Sequence, residues 1–217
     1  MSRPEPVTLA GTHATLRPLA REHHDGLVAA ARDGELWRLW YTTVLARRHG
    51  REIERRLDLA RWRLDAPLAA HGVRRRQRRR PGWPDRRHDH LHEHRRREQA
   101  RVEIGSTWTA AATQRTALNT QSKRLLLGHA FESLGCIAVE FRTHRLNTQS
   151  RRAIERLGAA LDGILRAHMV MANGTVRDTA VYSITAAERP TVKAHLDWQL
   201  ERPREYAVAA CPTERAD

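Results

Sequence analysis

The stretch Val102-Glu-Ile-Gly-Ser-Thr-Trp108, followed by Gln114-Arg-Thr-Ala-Leu-Asn119 and an amphipathic run to Leu134, decides the fold. Val102, Ile104 and Ser106 alternate with Glu103, Gly105 and Thr107, the period of a half-buried strand. From Leu118 to Leu134 the period becomes helical, with Leu125, Leu126, Ala130, Phe131 and Leu134 on one face. Ile137, Val139 and Phe141 alternate again, and this strand ends at His144. Asn147 then stands at an N-cap position, with Ala153, Ile154 and Leu157 inside the helix and Gly158 ending it. Strand, phosphate-sized loop, helix, strand and helix in this order suggest a cofactor site.

Downstream, Ile164 to Met171 and Thr179 to Ile184 flank Asn173-Gly174, a strong hairpin signal. Thr191 to Leu200 reads as a closing helix, and 203–217 as a loose tail. Upstream, His13 to Leu19 alternates weakly into a proline turn, as a first strand would. Glu22 to Arg32 carries Leu27, Val28 and Ala31 at helical spacing, and Glu52 to Ala60 predicts a short charged helix. Between them Trp37, Trp40 and Tyr41 form an aromatic cluster, either wall packing or the rim of an acceptor pocket.

Residues 61–100 break the pattern, with no period of a strand or helix and almost no apolar residues after Val73. A solvated basic segment, a nucleic-acid arm and a metal site from His88, His90, His92 and His94 are three readings. Alternating histidines without a closed outer shell bind ions adventitiously, so no metal site is assigned. A fourth reading explains more: Arg- and His-rich text is what a GC-rich gene yields when translated out of frame. With plausible codons, Arg87 to Arg101 shifted by one base reads GMTTYMNIDAANRR, an alternating strand followed by a turn. The same shift converts the text around Leu64-Asp-Ala-Pro67 to GSMLP and Gly72-Val-Arg-Arg-Arg-Gln77 to AFVVAS. On this reading, about 40 residues stand in place of two native strands.

A chain of 217 residues fits one domain over 1–202 plus the tail, and can bury a real core. The net charge of +14 is mostly local: residues 74–101 hold 12 Arg against 4 acidic residues. That argues against nucleic acid as the partner of the whole molecule. Cys136 and Cys211 have no disulfide or metal spacing, and Cys136 reads as a small core residue. No apolar run reaches membrane-span length and no leader is visible, so a soluble cytoplasmic protein, monomer or homodimer, is expected.

From Thr107 to Asn119, joined to Asn147-x-x-Ser150 and Gly158, the sequence resembles the GNAT superfamily of acetyl-CoA-dependent N-acetyltransferases. It is most similar to the branch of ribosomal-protein N-terminal acetyltransferases. The landmarks are Gly105-Ser-Thr-Trp108, Leu118-Asn119-Thr120 with Lys123, His129-Ala-Phe131, Phe141-Arg-Thr143, Asn147-Thr-Gln-Ser150, Ile154-Glu-Arg-Leu-Gly158 and Gly163-Ile-Leu-Arg166. The shifted text GMTTYMNID also resembles the third strand of that branch. The resemblance implies an α/β fold with a mixed, mostly antiparallel sheet of six or seven strands flanked by helices. It also implies transfer of acetyl from acetyl-CoA to a primary amine, on a protein N-terminus or a small molecule.

Pantetheine and pyrophosphate need a strand edge followed by backbone N–H groups at a helix N-terminus, where the dipole favours anions. Gln114, Arg115, Thr116, Ala117, Leu118, Asn119 and Thr120 are the expected phosphate segment. The family's loop carries small residues where Ala117 and Asn119 stand; Asn119 suggests a side-chain cap that also serves the phosphate. Acyl transfer needs a neutral amine, a polarised thioester carbonyl and a proton for the departing thiolate. Glu103 is the nearest candidate base, against its plain reading as a solvent-face strand carboxylate. The resemblance implies that Asn147 contacts pantetheine and Ser150 protonates the thiolate; His144 is a second proton-carrier candidate. Two rival readings stay open: a catalytically dead acetyl-CoA-binding copy, and a nucleic-acid module using 74–101.

Overall fold

The computed structural model describes residues 7–33, 35, 38–41, 67–68, 71–75, 101–105 and 107–202. The expected helix at Glu52 to Ala60, the histidine tract, Trp37, Ser106, Cys211 and the tail 203–217 lie outside the described residues. Of the anomalous segment 61–100, two short strands are described, β3 (Pro67–Leu68) and β4 (His71–Arg75).

These two strands join β5 (Arg101–Gly105), β6 (Ala138–His144), β7 (Ala160–Val170) and β8 (Val176–Thr185) in one sheet of order β3-β4-β5-β6-β8-β7. All neighbours are antiparallel except β5 and β6. The sheet is therefore the expected mixed, mostly antiparallel one. A parallel pair needs a crossover, and α2 (Ala117–Gly128) supplies it. At the N-terminus, β1 (Leu9–Ala10) pairs with β2 (Thr15–Leu16), a smaller unit than the strand predicted over His13 to Leu19. A 3₁₀ turn at Arg21–His23 then leads into α1 (His24–Arg32).

In β5, Val102 and Ile104 point into the core while Glu103 does not, as the alternation predicts. β6 departs from its predicted pattern because it is central. Ala138 and Glu140 are buried along with Val139 and Phe141, since the sheet is covered on both faces there. Ile137, expected to face inward, precedes the strand and is half-exposed. Cys136 is buried, as expected of a small core residue.

The predicted stripe on α2 holds at Leu126 and Ala130, with Leu125, Phe131 and Leu134 partly buried against the core. Leu127 is wholly buried although the stripe omitted it. The cause is α4 (Arg189–Glu201), which runs antiparallel to α2 and covers a second face. Arg124 pairs with Asp197 at 2.6 Å near one end of this contact, and Arg189 with Glu132 at 2.7 Å near the other. Beyond Gly128 the helix loosens into a π turn, His129–Ser133.

α3 (Thr148–Glu155) begins where predicted, and Asn147 Oδ1 accepts the Ser150 N–H at 3.0 Å. Gly158 ends the connection with φ +91°, a conformation that glycine adopts without penalty. The β7–β8 hairpin turns as predicted, but through a three-residue loop. Met171 accepts from the Gly174 N–H at 2.9 Å and donates to the Thr175 carbonyl at 2.8 Å. Gly174 alone takes positive φ, at +82°, so the loop is a turn closed by a glycine bulge rather than a two-residue Asn-Gly turn.

Candidate active site

The site begins where β5 and β6 part. Their parallel register covers Arg101↔Ala138, Val102↔Val139 and Glu103↔Glu140 and stops there. β5 continues to Gly105 and β6 to His144 without pairing each other. The edge of β5 beyond Glu103 therefore faces a gap rather than a ladder. That gap belongs to a cleft of about 1500 Å³. It opens beyond the carboxyl ends of the two parallel strands, the general position of ligands in open sheets with crossover helices.

Glu103 lines this cleft and folds back over its own strand: a Cβ on Gly105 would lie 2.9 Å from Glu103 Oε1. It is within electrostatic reach of Arg177, whose guanidinium burial makes easier to deprotonate, opposed by Glu103 and reinforced by Arg142. The partner of Glu103 across the register, Glu140, is buried and held by Arg142 and by Arg101, the latter at 3.7 Å.

The second wall is the start of α2. Arg115 adopts φ +61°, uncommon for a residue with a side chain and characteristic of strained functional loops. This turn sets Thr116 as the N-cap, its hydroxyl accepting the Leu118 N–H at 3.3 Å. The expected cap, Asn119, is corrected to the third residue of the helix. Asn119 Oδ1 is buried and has no partner among the described residues, while the residue lines the cleft. A buried amide oxygen left open beside a helix N-terminus fits a polar ligand at that point.

α3 forms the third wall, with Asn147 and Ser150 facing the gap and Gln149 Nε2 donating to Gln114 Oε1 at 3.3 Å. Thus Glu103, Gln114, Arg115, Thr116, Asn119, Asn147 and Ser150 line one cleft. Ala117, Leu118 and Thr120 do not line it. Thr120 is fully buried and accepts from Arg156 Nη1 at 3.1 Å.

Sequence reasoning missed the importance of Lys123. It is only 4% exposed, lines the cleft, and donates from Nζ to Thr107 Oγ1 at 2.6 Å. Burial brings its pKa from 10.5 to about 7. The signal was present: Lys123 precedes Leu127 by four residues and Ala130 by seven, so it shares the apolar face.

Tyr41, His144, His168, Arg177 and Thr179 also line the cleft. His144 Nδ1 accepts the Leu146 N–H at 3.0 Å, which fixes the other nitrogen, Nε2, as the protonated one. Burial first, then Arg177, holds its pKa down, with Asp178 opposing. With Nδ1 occupied, the neutral imidazole keeps Nε2–H as its remaining polar group, a proton donor and not an acceptor. The Trp40 and Tyr41 rings lie 5.2 Å and 6.1 Å from it, making the aromatic cluster a wall here. His168 reaches the cleft through a bulge in β7, where Ala167 takes φ +47° and donates its N–H to Asp178 Oδ1 at 2.8 Å.

The chain resembles known proteins in the same terms. The family model of the GNAT acetyltransferase domain matches residues 13–160. A GCN5-related N-acetyltransferase from Brucella melitensis is similar over 92% of this chain and 87% of its own, at 27% identity and TM-score 0.71. RimJ from Mycobacterium smegmatis, solved with CoA-disulfide, shares the fold over 90% of this chain and 95% of its own, at 18% identity and TM-score 0.65. No curated protein matches the chain at a significant level. A parted pair of parallel strands, a capped helix start beside it and a family match over more than half the chain converge on one conclusion: this is an acyltransferase belonging to the GNAT acetyltransferase family.

Proposed function

We propose that this protein moves acetyl from acetyl-CoA to a primary amine by direct attack, with both substrates bound in the cleft. The observation that carries the reading is the open edge of β5 beyond Glu103, which shares one cleft with Asn147, Ser150 and the residues before α2. Acetyl-CoA, when bound, supplies an acetyl thioester. The residues present suit it: Arg115 offers positive charge to the pyrophosphate at the N-terminus of α2, beside Thr116 and Asn119, and Asn147 meets the pantetheine arm. Arg115, Arg152 and Arg156 add positive charge on the same walls. The structure of RimJ with CoA-disulfide, a neighbour in fold, is consistent with this use of the cleft.

Glu103 is the base in this reading, taking a proton from the acceptor ammonium directly or through water. Ser150 lies on the far wall as the donor of a proton to the thiolate. The acceptor enters from the end lined by Tyr41, His144, His168 and Arg177. It carries a primary amine on a protein N-terminus or a small molecule. The test is Ser150→Ala and Glu103→Gln, assayed for thiol release with a panel of peptides and small amines. Ser150→Ala should lower kcat by about 100-fold or more with little change in acetyl-CoA affinity. Unchanged turnover removes Ser150 from its acid role. Acetyl-CoA binding with no turnover on any amine supports a catalytically dead copy instead.

A further inference from the structure

The cleft does not end at the N-terminus of α2; it extends to Trp198, Gln199 and Arg202 at the C-terminal end of α4. In α4, Val192 and Leu196 are buried in the core, so the inward face of the helix is already committed. Trp198 is 55% exposed, and its ring contributes nothing to that core. His195 stacks on it with centroids 6.2 Å apart and planes 22° apart, and the Arg202 guanidinium lies 5.4 Å from its centroid.

Its position relative to α2 is fixed from both sides. Asp197, the residue before Trp198, holds Arg124 of α2 at 2.6 Å. Gln199, the residue after it, accepts from Arg156 Nη1 at 2.6 Å, and the same nitrogen donates to Thr120 Oγ1 in the first turn of α2. An accessible indole is therefore held beside the proposed phosphate end, with Arg202 against it, Arg156 tied to its neighbour Gln199, and Arg115 and Arg152 lining the same cleft. A flat aromatic surface flanked by guanidinium groups is the chemistry that recognises a nucleotide: the base stacks and the phosphates meet the cations.

We propose that Trp198 is the platform on which the adenine of the donor stacks, with Arg202 and Arg156 meeting the phosphate on its ribose. This rests on the reading of the cleft as the acetyl-CoA site and adds the residues that hold its nucleotide half. Arg202 sits on the indole and reaches a ribose phosphate by rotation of its side chain.

The probes are CoA and adenosine 3′,5′-bisphosphate, the nucleotide half of CoA, titrated calorimetrically into the full chain and into Trp198→Ala, Trp198→Phe and Arg202→Ala. Trp198→Ala should weaken both probes about tenfold, the size of one base–aromatic stack, and Trp198→Phe should recover most of the loss. Arg202→Ala should weaken CoA more than 3′-dephospho-CoA. Equal affinity of the wild type and Trp198→Ala for CoA overturns the proposal, as does failure of the wild type to bind the bisphosphate. Failure of the wild type to bind CoA while it binds the bisphosphate through Trp198 counts against the acetyl-CoA reading and leaves the nucleotide platform standing.

Discussion

Lys123 illustrates how a single residue joins fold to site. An ammonium on the apolar face of a helix is costly to hold, and here the Thr107 hydroxyl meets it in the cleft. The consequence for stability has a definite sign. The folded chain releases this proton near pH 7, whereas the unfolded chain keeps it to the ordinary value of 10.5. The unfolded state therefore binds more protons between about pH 7 and 10.5, and stability rises with pH through that window. Below pH 7 the penalty is fully present. Lys123→Met should remove a slope of up to about 1.4 kcal/mol per pH unit, read as the difference between the two proteins in denaturant melts from pH 6 to 9. An identical pH dependence in both proteins would remove Lys123 from this role. The strand parity of Glu103 was legible in the sequence and Ser150 came from the family resemblance; both line the cleft. The correction at Asn119 came from Arg115, whose left-handed backbone moves the cap to Thr116.

Among the elements, those with one buried face read well and those with two did not. β5 follows its alternation because Glu103 turns to the cleft while Val102 and Ile104 turn inward. β6 and α2 do not, because neighbours cover them on more than one side and polar residues are buried with apolar ones. Thr120, Gln121, Ser122 and Lys123 are all buried in α2. No one-sided period describes such a helix. The Asn-Gly pair gave the hairpin but not its loop length, because a glycine bulge and a two-residue turn share the same letters. Gly158 is the terminus most open to test. Its φ is +91°, and a Cβ there would come within 3.2 Å of Val192 Cγ2 on α4. Gly158→Ala should cost about 1–3 kcal/mol, measured by urea denaturation. A loss below about 0.5 kcal/mol would show that the junction of α3 and β7 adapts freely.

At the scale of the whole molecule, the basic charge and the cleft are separate problems. The cleft is lined by Arg115, Arg142, Arg152, Arg156, Arg177 and Arg202, all outside the run 74–101 that holds most of the excess charge. Within 61–100, the backbone of His71–Arg75 still pairs with β5, with Gly72 opposite Gly105 and Val73 opposite Ile104. This is the place where the one-base shift turns Gly72 to Gln77 into AFVVAS. Sequencing the gene should reveal compensating single-base changes on either side of codons 61–100, and a chain carrying the shifted text should melt at higher temperature. An intact frame confirmed in independent isolates would end this reading. Among the described residues no helix is long and apolar enough to cross a membrane. The central claim is that the gap between β5 and β6, with α2 and α3 on its flanks, holds acetyl-CoA. Calorimetric titration of the full chain with acetyl-CoA tests it most directly. Saturable binding is expected at one site per chain, competed by CoA and weakened by salt. Absence of binding up to about 1 mM, together with salt-sensitive retention on nucleic acid, would contradict it.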